Sequence, residues 1–170
     1  VAAEIARVLE APLDVILVRK LGAPFQPELA MGAIAEGGVR VLDPSIVRSI
    51  GLTEAEIATI EQRELENLSN AATRFREGRA PQDMTGRTVI IVDDGIATGS
   101  TVLAACEVAR RREVKTLVVT APVGSTSAIE RIRRVADEIV CPSSDRFLAI
   151  SQYYDHFRSV TDEEVRDCLE

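Results

Sequence analysis

Histidine, cysteine and aromatic side chains are scarce in this sequence, and each shortage removes a class of chemistry. His156 is the only histidine among 170 residues, so a His-based triad or a multi-His metal centre has almost nothing to work with. The three cysteines, Cys106, Cys141 and Cys168, are odd in number, widely spaced and without a CxxC pair. They read as buried thiols of a reducing cytoplasm, not as a disulfide frame or a zinc site. Tryptophan is absent, with only two tyrosines and four phenylalanines. No apolar run approaches the ~20 residues of a bilayer span, and no basic-then-apolar leader opens the chain, which disfavours membrane and secretory readings. Positive charge is in deficit: 20 Lys+Arg against 27 Asp+Glu leave −7. That balance argues against a general nucleic-acid binder, which must neutralise many phosphates. A small anionic ligand stays open, because backbone N–H groups and a metal ion handle phosphate without net positive charge.

What is present describes a globular domain. With 46% hydrophobic and 28% charged residues, the chain is long enough to bury a core without staples. Ile5, Val8 and Leu9 share one face of a short helix over 1–10, and a Val start that opens directly into a helix implies that the true start lies upstream. Asp14–Val18 is a continuous apolar run that suits a buried strand, closed by Arg19 and Lys20, with a loop over Leu21–Pro27. Glu28–Ala35 and Val39–Leu42, separated by Glu36-Gly37-Gly38, suit a hairpin. Asp43-Pro44 starts a helix, and Thr53…Glu56 is a capping box that opens a long charged helix to about Arg76. Residues 43–80 thus form a helical insertion within one domain spanning 1–170. Strands at Thr88–Val92, Thr116–Thr120 and Glu138–Cys141 alternate with helices over Gly99–Arg112 and Ser125–Ala136. Thr161–Leu169 closes the chain as a helix. That alternation predicts an α/β fold with a parallel sheet.

The chemistry concentrates in Thr88-Val-Ile-Ile-Val-Asp93-Asp94-Gly-Ile-Ala97-Thr98-Gly99-Ser100-Thr101. Two carboxylates stand at the carboxyl end of a buried strand, where open α/β sheets bind ligands. Small and hydroxylated residues then lead into a helix, which makes a phosphate cradle from exposed N–H groups, hydroxyls and a helix dipole. Carboxylates beside such a cradle would repel the ligand unless they serve hydroxyls or a divalent metal. The implied ligand carries phosphate, sugar hydroxyls and Mg²⁺. The bland alternative, a turn that only caps the following helix, leaves the hydroxyl run unexplained.

Val92-Asp93-Asp94-Gly-Ile-Ala97-Thr98-Gly99-Ser-Thr101 resembles the phosphoribosyl-pyrophosphate (PRPP) motif of the type I phosphoribosyltransferases. The resemblance implies their parallel-sheet α/β fold, with Asp93 and Asp94 at the ribose hydroxyls and at Mg²⁺, directly or through water. Ala97, Thr98, Gly99, Ser100 and Thr101 would wrap the 5′-phosphate. Val18-Arg19-Lys20 is similar to the Arg-Lys that precedes the mobile catalytic loop of the orotate and adenine enzymes and contacts pyrophosphate. Val18–Pro24, Pro27–Ala30, Gly32–Gly38, Tyr154, Phe157 and Asp162–Val165 also resemble an uncharacterised bacterial phosphoribosyltransferase-like group, over essentially the whole chain. Implied partners are PRPP and a nitrogenous base, without nucleic acid or membrane. A cytoplasmic homo-oligomer, a dimer, is expected.

Two departures bear on substrate. The 6-oxopurine enzymes carry an Asp where Ala97 stands, which disfavours hypoxanthine and guanine. The family's pyrophosphate loop, commonly Arg-Gly-Gly, would precede the first helix; either it lies upstream of Val1 or the chain binds without catalysing. Glu28 reads as a proton-handling carboxylate or an exposed loop residue. Phe147, Tyr153 and Tyr154 read equally as stacking partners for the base or as packing. His156 reads as a surface residue, and the charged helix from Thr53 as a solvated face or a subunit contact. The rival functions are a PRPP-binding regulator and a receiver domain, the latter disfavoured because Asp93-Asp94 lies mid-chain with Thr-Gly-Ser-Thr behind it.

Overall fold

Thr88-Val-Ile-Ile-Val92 is β-branched at every position, a composition that fits a pleated strand better than a helix. It forms β4 of the computed structural model, which describes residues 1–76, 80–144 and 149–169, with backbone alone at positions 27 and 28. β4 pairs in parallel with β5 (Thr116–Thr120), and β5 with β6 (Glu138–Val140). The connections are α4 (Ser100–Arg111) and α5 (Thr126–Ile132). A second, antiparallel sheet holds β1 (Val18–Ala23), β2 (Gln26–Ala35) and β3 (Val39–Leu42) in that order.

Helix α4 joins the two sheets. Val102, Ala105, Cys106 and Ala109 pack with Ile91, Leu117 and Val119 of the parallel sheet. Ala104 and Val108 pack with Ala33, Ala35 and Val39 of the antiparallel one. Three alanines in one helix allow both sheets to approach closely, so apolar area is buried on two sides of a thin element. On the far face of the antiparallel sheet, Leu21, Met31 and Ile34 close against Ile57. Ile57 belongs to the 23-residue α3 (Glu54–Arg76). The short α2 (Pro44–Ile50) precedes it, capped by Asp43, whose Oδ1 accepts from the Ser45 and Ile46 N–H groups at 3.0 and 3.3 Å. The Thr53–Glu56 capping box is formed at 2.9 and 3.3 Å, and Thr161 with Glu164 repeats it at the start of α6 (Asp162–Leu169). An amphipathic α1 (Ala2–Leu9) opens the chain with no residue fully buried.

Four sequence expectations are corrected. Of the three cysteines only Cys106 is buried, while Cys141 is half-buried and Cys168, on the short terminal helix, is exposed. Asp14–Leu17 lies outside every strand, because a continuous apolar run signals burial and not pairing. Ile16 and Leu17 do pack inward. The Val15 carbonyl instead accepts from Arg76 at 2.7 Å, and the Leu17 carbonyl from the Glu36 N–H at 3.1 Å. Leu21–Pro27 is not a loop: β1 continues through Ala23, turns at Pro24-Phe25 and returns as β2 from Gln26. Finally, the helix expected over Ser125–Ala136 ends at Ile132, with turns beyond it. Among the described residues, no helix is long and apolar enough to cross a membrane.

Candidate functional site

Asp93 and Asp94 follow β4 directly, where the ladder continues one residue beyond the strand through the Asp93 N–H to Thr120 O at 3.1 Å. The Asp93 Oδ1 accepts the Asp94 N–H at 2.9 Å. That bond folds the Asp93 side chain back into the chain, while Asp94 is exposed. Burial and the neighbouring Asp94 carboxylate push the Asp93 carboxyl up to about 6, against the pull of the Asp94 N–H and the Lys20 ammonium.

Lys20 comes from the other sheet. In β1 it stands opposite Ala33, which packs on α4, so Lys20 shares the face that looks toward β4 and α4. Arg19 does not join it. Arg19, Ile34 and Arg40 form one cross-strand row on the opposite face, where Arg40 is ion-paired with Glu54 and Glu61 of α3. Reading Arg19 and Lys20 as a pair at a strand end treats neighbours as companions. Inside a strand, alternation sends them to opposite sides.

The connection from Gly95 to α4 is held from both flanks. Gly95 is buried under Ile150, whose side-chain atoms lie 2.5 to 2.9 Å from where a Cβ would be. Beside it, the Tyr154 hydroxyl donates to the Asp94 carbonyl at 2.6 Å, and the Tyr154 ring lies 5.2 Å from that of Phe157. Burial and the Asp94 and Asp93 charges raise the Tyr154 phenol above its ordinary range. Tyr154 therefore reaches the site through its hydroxyl, whereas Phe147 falls outside the described residues, as does the Glu28 side chain. Gly95 reads from sequence as one of the small residues leading into the helix, but Ile150 was missed, since an Ile after an uninformative stretch carries no signal.

Gly99 caps α4 with φ 79°, a left-handed geometry natural only to glycine, and a Cβ there would meet Ala128 at 3.2 Å. The N-cap Gly99 has no side chain to cap α4, which leaves first-turn N–H groups other than that of Ser100 for a ligand. Ser100 is buried, its N–H 3.5 Å from Thr98 Oγ1, Thr101 is half-buried, and Ala97 and Thr98 are exposed. Thus Asp93, Asp94, the 97–101 turn, Lys20 and Tyr154 converge, and Arg19 does not.

Two carboxylates and a helix start with a glycine N-cap lie together on one strand-to-helix turn. A family model described as phosphoribosyl transferase domain matches residues 1–158, and the chain belongs to that family. Two curated Mycobacterium tuberculosis proteins, each named "Putative phosphoribosyl transferase", are 48% identical over 166 residues, 97% of this chain and 38% of theirs. A ribose-phosphate pyrophosphokinase of Thermococcus kodakarensis is 30% identical over 129 residues, 75% of this chain and 44% of that protein. The crystal structure of the Thermus thermophilus protein TT1426 matches with a TM-score of 0.78 at 40% identity, covering 98% of this chain and 79% of that one. The chain spans about two fifths of the length of the Mycobacterium relatives it matches.

Proposed function

We propose that the domain transfers a phosphoribosyl group from PRPP to a nitrogenous base, with Mg²⁺, giving a nucleoside 5′-monophosphate and pyrophosphate. The observation that carries this reading is the convergence of the acidic pair, the uncapped start of α4 and Lys20 from the opposite sheet.

The donor set suits Mg²⁺. Asp93 and Asp94 offer hard carboxylate oxygens, adjacent in the chain at the end of β4. Among the described residues, no group of three or more His, Cys, Asp or Glu is placed to cage a metal. Two carboxylates can hold such an ion together with ligand oxygens and water. When bound, Mg²⁺ would neutralise charge on the pyrophosphate and lower the cost of its departure.

The chain's own residues divide the remaining work. Ala97–Thr101 and the start of α4 hold the 5′-phosphate and so fix the ribose above the acidic pair. Positive charge grows on the ribose as the anomeric bond breaks, and Asp93 and Asp94 stabilise it directly or through the ring hydroxyls. Lys20 offsets negative charge on the leaving group. Ala97, unable to exchange a proton, makes the site suit bases other than 6-oxopurines. The Tyr154 ring, steadied by its hydroxyl on the Asp94 carbonyl, is offered as a wall for the base.

The test is pyrophosphate release from PRPP·Mg²⁺ across a panel of adenine, orotate, uracil, hypoxanthine and guanine. Base-dependent release with one non-oxopurine is the expected outcome. Tight PRPP binding without release for any base would replace the transferase by a PRPP-responsive regulator.

A further inference from the structure

Three consecutive carbonyls at the start of the phosphate turn are tied to α5 and its cap. The Ser125 N–H donates to Ile96 O at 2.8 Å, and the Ser125 hydroxyl to Ala97 O at 2.6 Å. Arg131 Nη1 donates to Thr98 O at 3.2 Å. In a planar trans peptide the carbonyl and the next N–H point in opposite directions. The N–H groups of Ala97, Thr98 and Gly99 are therefore all turned away from α5. The turn is polarised: its acceptors face the protein and its donors face outward.

The weakest link in such a turn is the Thr98–Gly99 peptide. A glycine next to a turn peptide tolerates either orientation of it, because the two orientations differ mainly in whether the neighbouring φ is positive. Flipping it would present the Thr98 carbonyl, a hydrogen-bond acceptor, where a phosphate oxygen needs a donor. The bond from Arg131 opposes that flip. Arg131 is itself seated: the same Nη1 lies 3.6 Å from Asp43 Oδ2. The other Asp43 oxygen caps α2, accepting from Ser45 Oγ at 2.5 Å as well as from backbone. Asp43 thus belongs to the antiparallel sheet's last corner, Arg131 to α5, and the carbonyl they restrain to the turn before α4.

We infer that Arg131, seated by Asp43, is a positioning residue that locks the Thr98–Gly99 peptide with its N–H toward the 5′-phosphate. The inference rests on the reading of 97–101 as the phosphate turn. It assigns a role in affinity to two charged residues that need touch no ligand.

The experiment uses Arg131→Ala, Arg131→Lys, Asp43→Asn and the double variant Arg131→Ala/Asp43→Asn. Asparagine caps a helix as well as aspartate, so Asp43→Asn removes the charge without uncapping α2. Ribose 5-phosphate and PRPP·Mg²⁺ are titrated calorimetrically, and the Gly99 amide resonance is followed by NMR without ligand. Arg131→Ala should weaken ribose 5-phosphate binding about tenfold or more, the effect of losing a charged hydrogen bond, with a second or exchange-broadened Gly99 amide signal as both peptide orientations become populated. Arg131→Lys should recover part of the loss, Asp43→Asn should show a smaller loss, and the double variant should be no worse than Arg131→Ala alone. Unchanged affinity in Arg131→Ala, with the wild type binding normally, would overturn the inference. So would losses in the double variant that simply add. If the wild type binds neither ligand, the phosphate reading fails separately. The lock is then judged on that resonance alone: an unchanged Gly99 signal in Arg131→Ala overturns it, and a second or broadened signal upholds the restraint.

Discussion

Asp93→Asn is expected to stabilise the protein while abolishing its activity. The Asp93 carboxyl moves from 3.8 to about 6 because burial and the Asp94 carboxylate disfavour its charge more than Lys20 favours it. At neutral pH, holding that charge in the fold costs about 3 kcal/mol, at ~1.4 kcal/mol for each tenfold change in proton affinity. The sign follows from proton counting. Between about pH 4 and 6 the native chain binds more protons than the unfolded one, so stability falls as pH rises through that window. Above it the cost is complete; below about pH 4 both states are protonated and the cost is gone. Asparagine removes the charge but keeps the shape, and its Oδ1 still accepts the Asp94 N–H found at 2.9 Å. For a chain of this length each kcal/mol shifts Tm by about 2–4 °C, and solvent reaching the half-buried site trims the effect. Asp93→Asn should therefore melt roughly 4–10 °C above wild type at about pH 7.5 without metal, and within about 1 °C of it near pH 4. Differential scanning calorimetry in EDTA reads both. A variant that melts lower at neutral pH, or a gain independent of pH, would refute the electrostatic account of this site.

Lys20→Ala should lower kcat about 10–100-fold while leaving ribose 5-phosphate affinity within about twofold; a loss confined to that affinity in calorimetry would contradict its place at the pyrophosphate. Gly95→Ala drives a Cβ into Ile150 and should cost about 1–3 kcal/mol in denaturant unfolding, with Ile150→Ala in the same chain restoring part of it. Absence of rescue would show that the strain lies elsewhere. Arg76→Ala leaves Glu36, paired with it at 2.6 Å and 13% exposed, largely uncompensated. A loss of about 3–5 kcal/mol is expected by urea unfolding, and a loss under 1 kcal/mol would mean that Arg112, 3.4 Å from Glu36, suffices. Tyr154→Phe should cost about 1 kcal/mol through its bond to the Asp94 carbonyl, with an unchanged urea midpoint marking that bond as energetically idle.

Much of the second half of the fold was legible because its signals are local. β-Branched runs mark β4 and β5, Asp43 and the two Thr-x-x-Glu boxes mark helix starts, and the DDGIATGST stretch binds strand, turn and helix into one sentence of chemistry. The first half was harder. Asp14–Leu17 carries Val and Ile whereas Leu21–Ala23 has no β-branched residue, yet the second pairs and the first does not, because β2 lies beside the second. The separation of Arg19 from Lys20 follows from the same shift in the strand. Contacts that depend on distant chain, such as Ile150 over Gly95 or Arg131 on the Thr98 carbonyl, leave no periodicity and no motif. They exist only once α5 and the chain after β6 are laid beside the turn.

The central claim is that the strand-to-helix turn at 93–101 binds PRPP through its 5′-phosphate, ribose and metal together. Calorimetric titration of PRPP into the protein, with and without Mg²⁺, tests it most directly. Saturable one-to-one binding that strengthens with Mg²⁺ and is lost in Asp93→Asn is the predicted result. An absence of binding under both conditions, or binding indifferent to Mg²⁺ and to Asp93, would contradict the account.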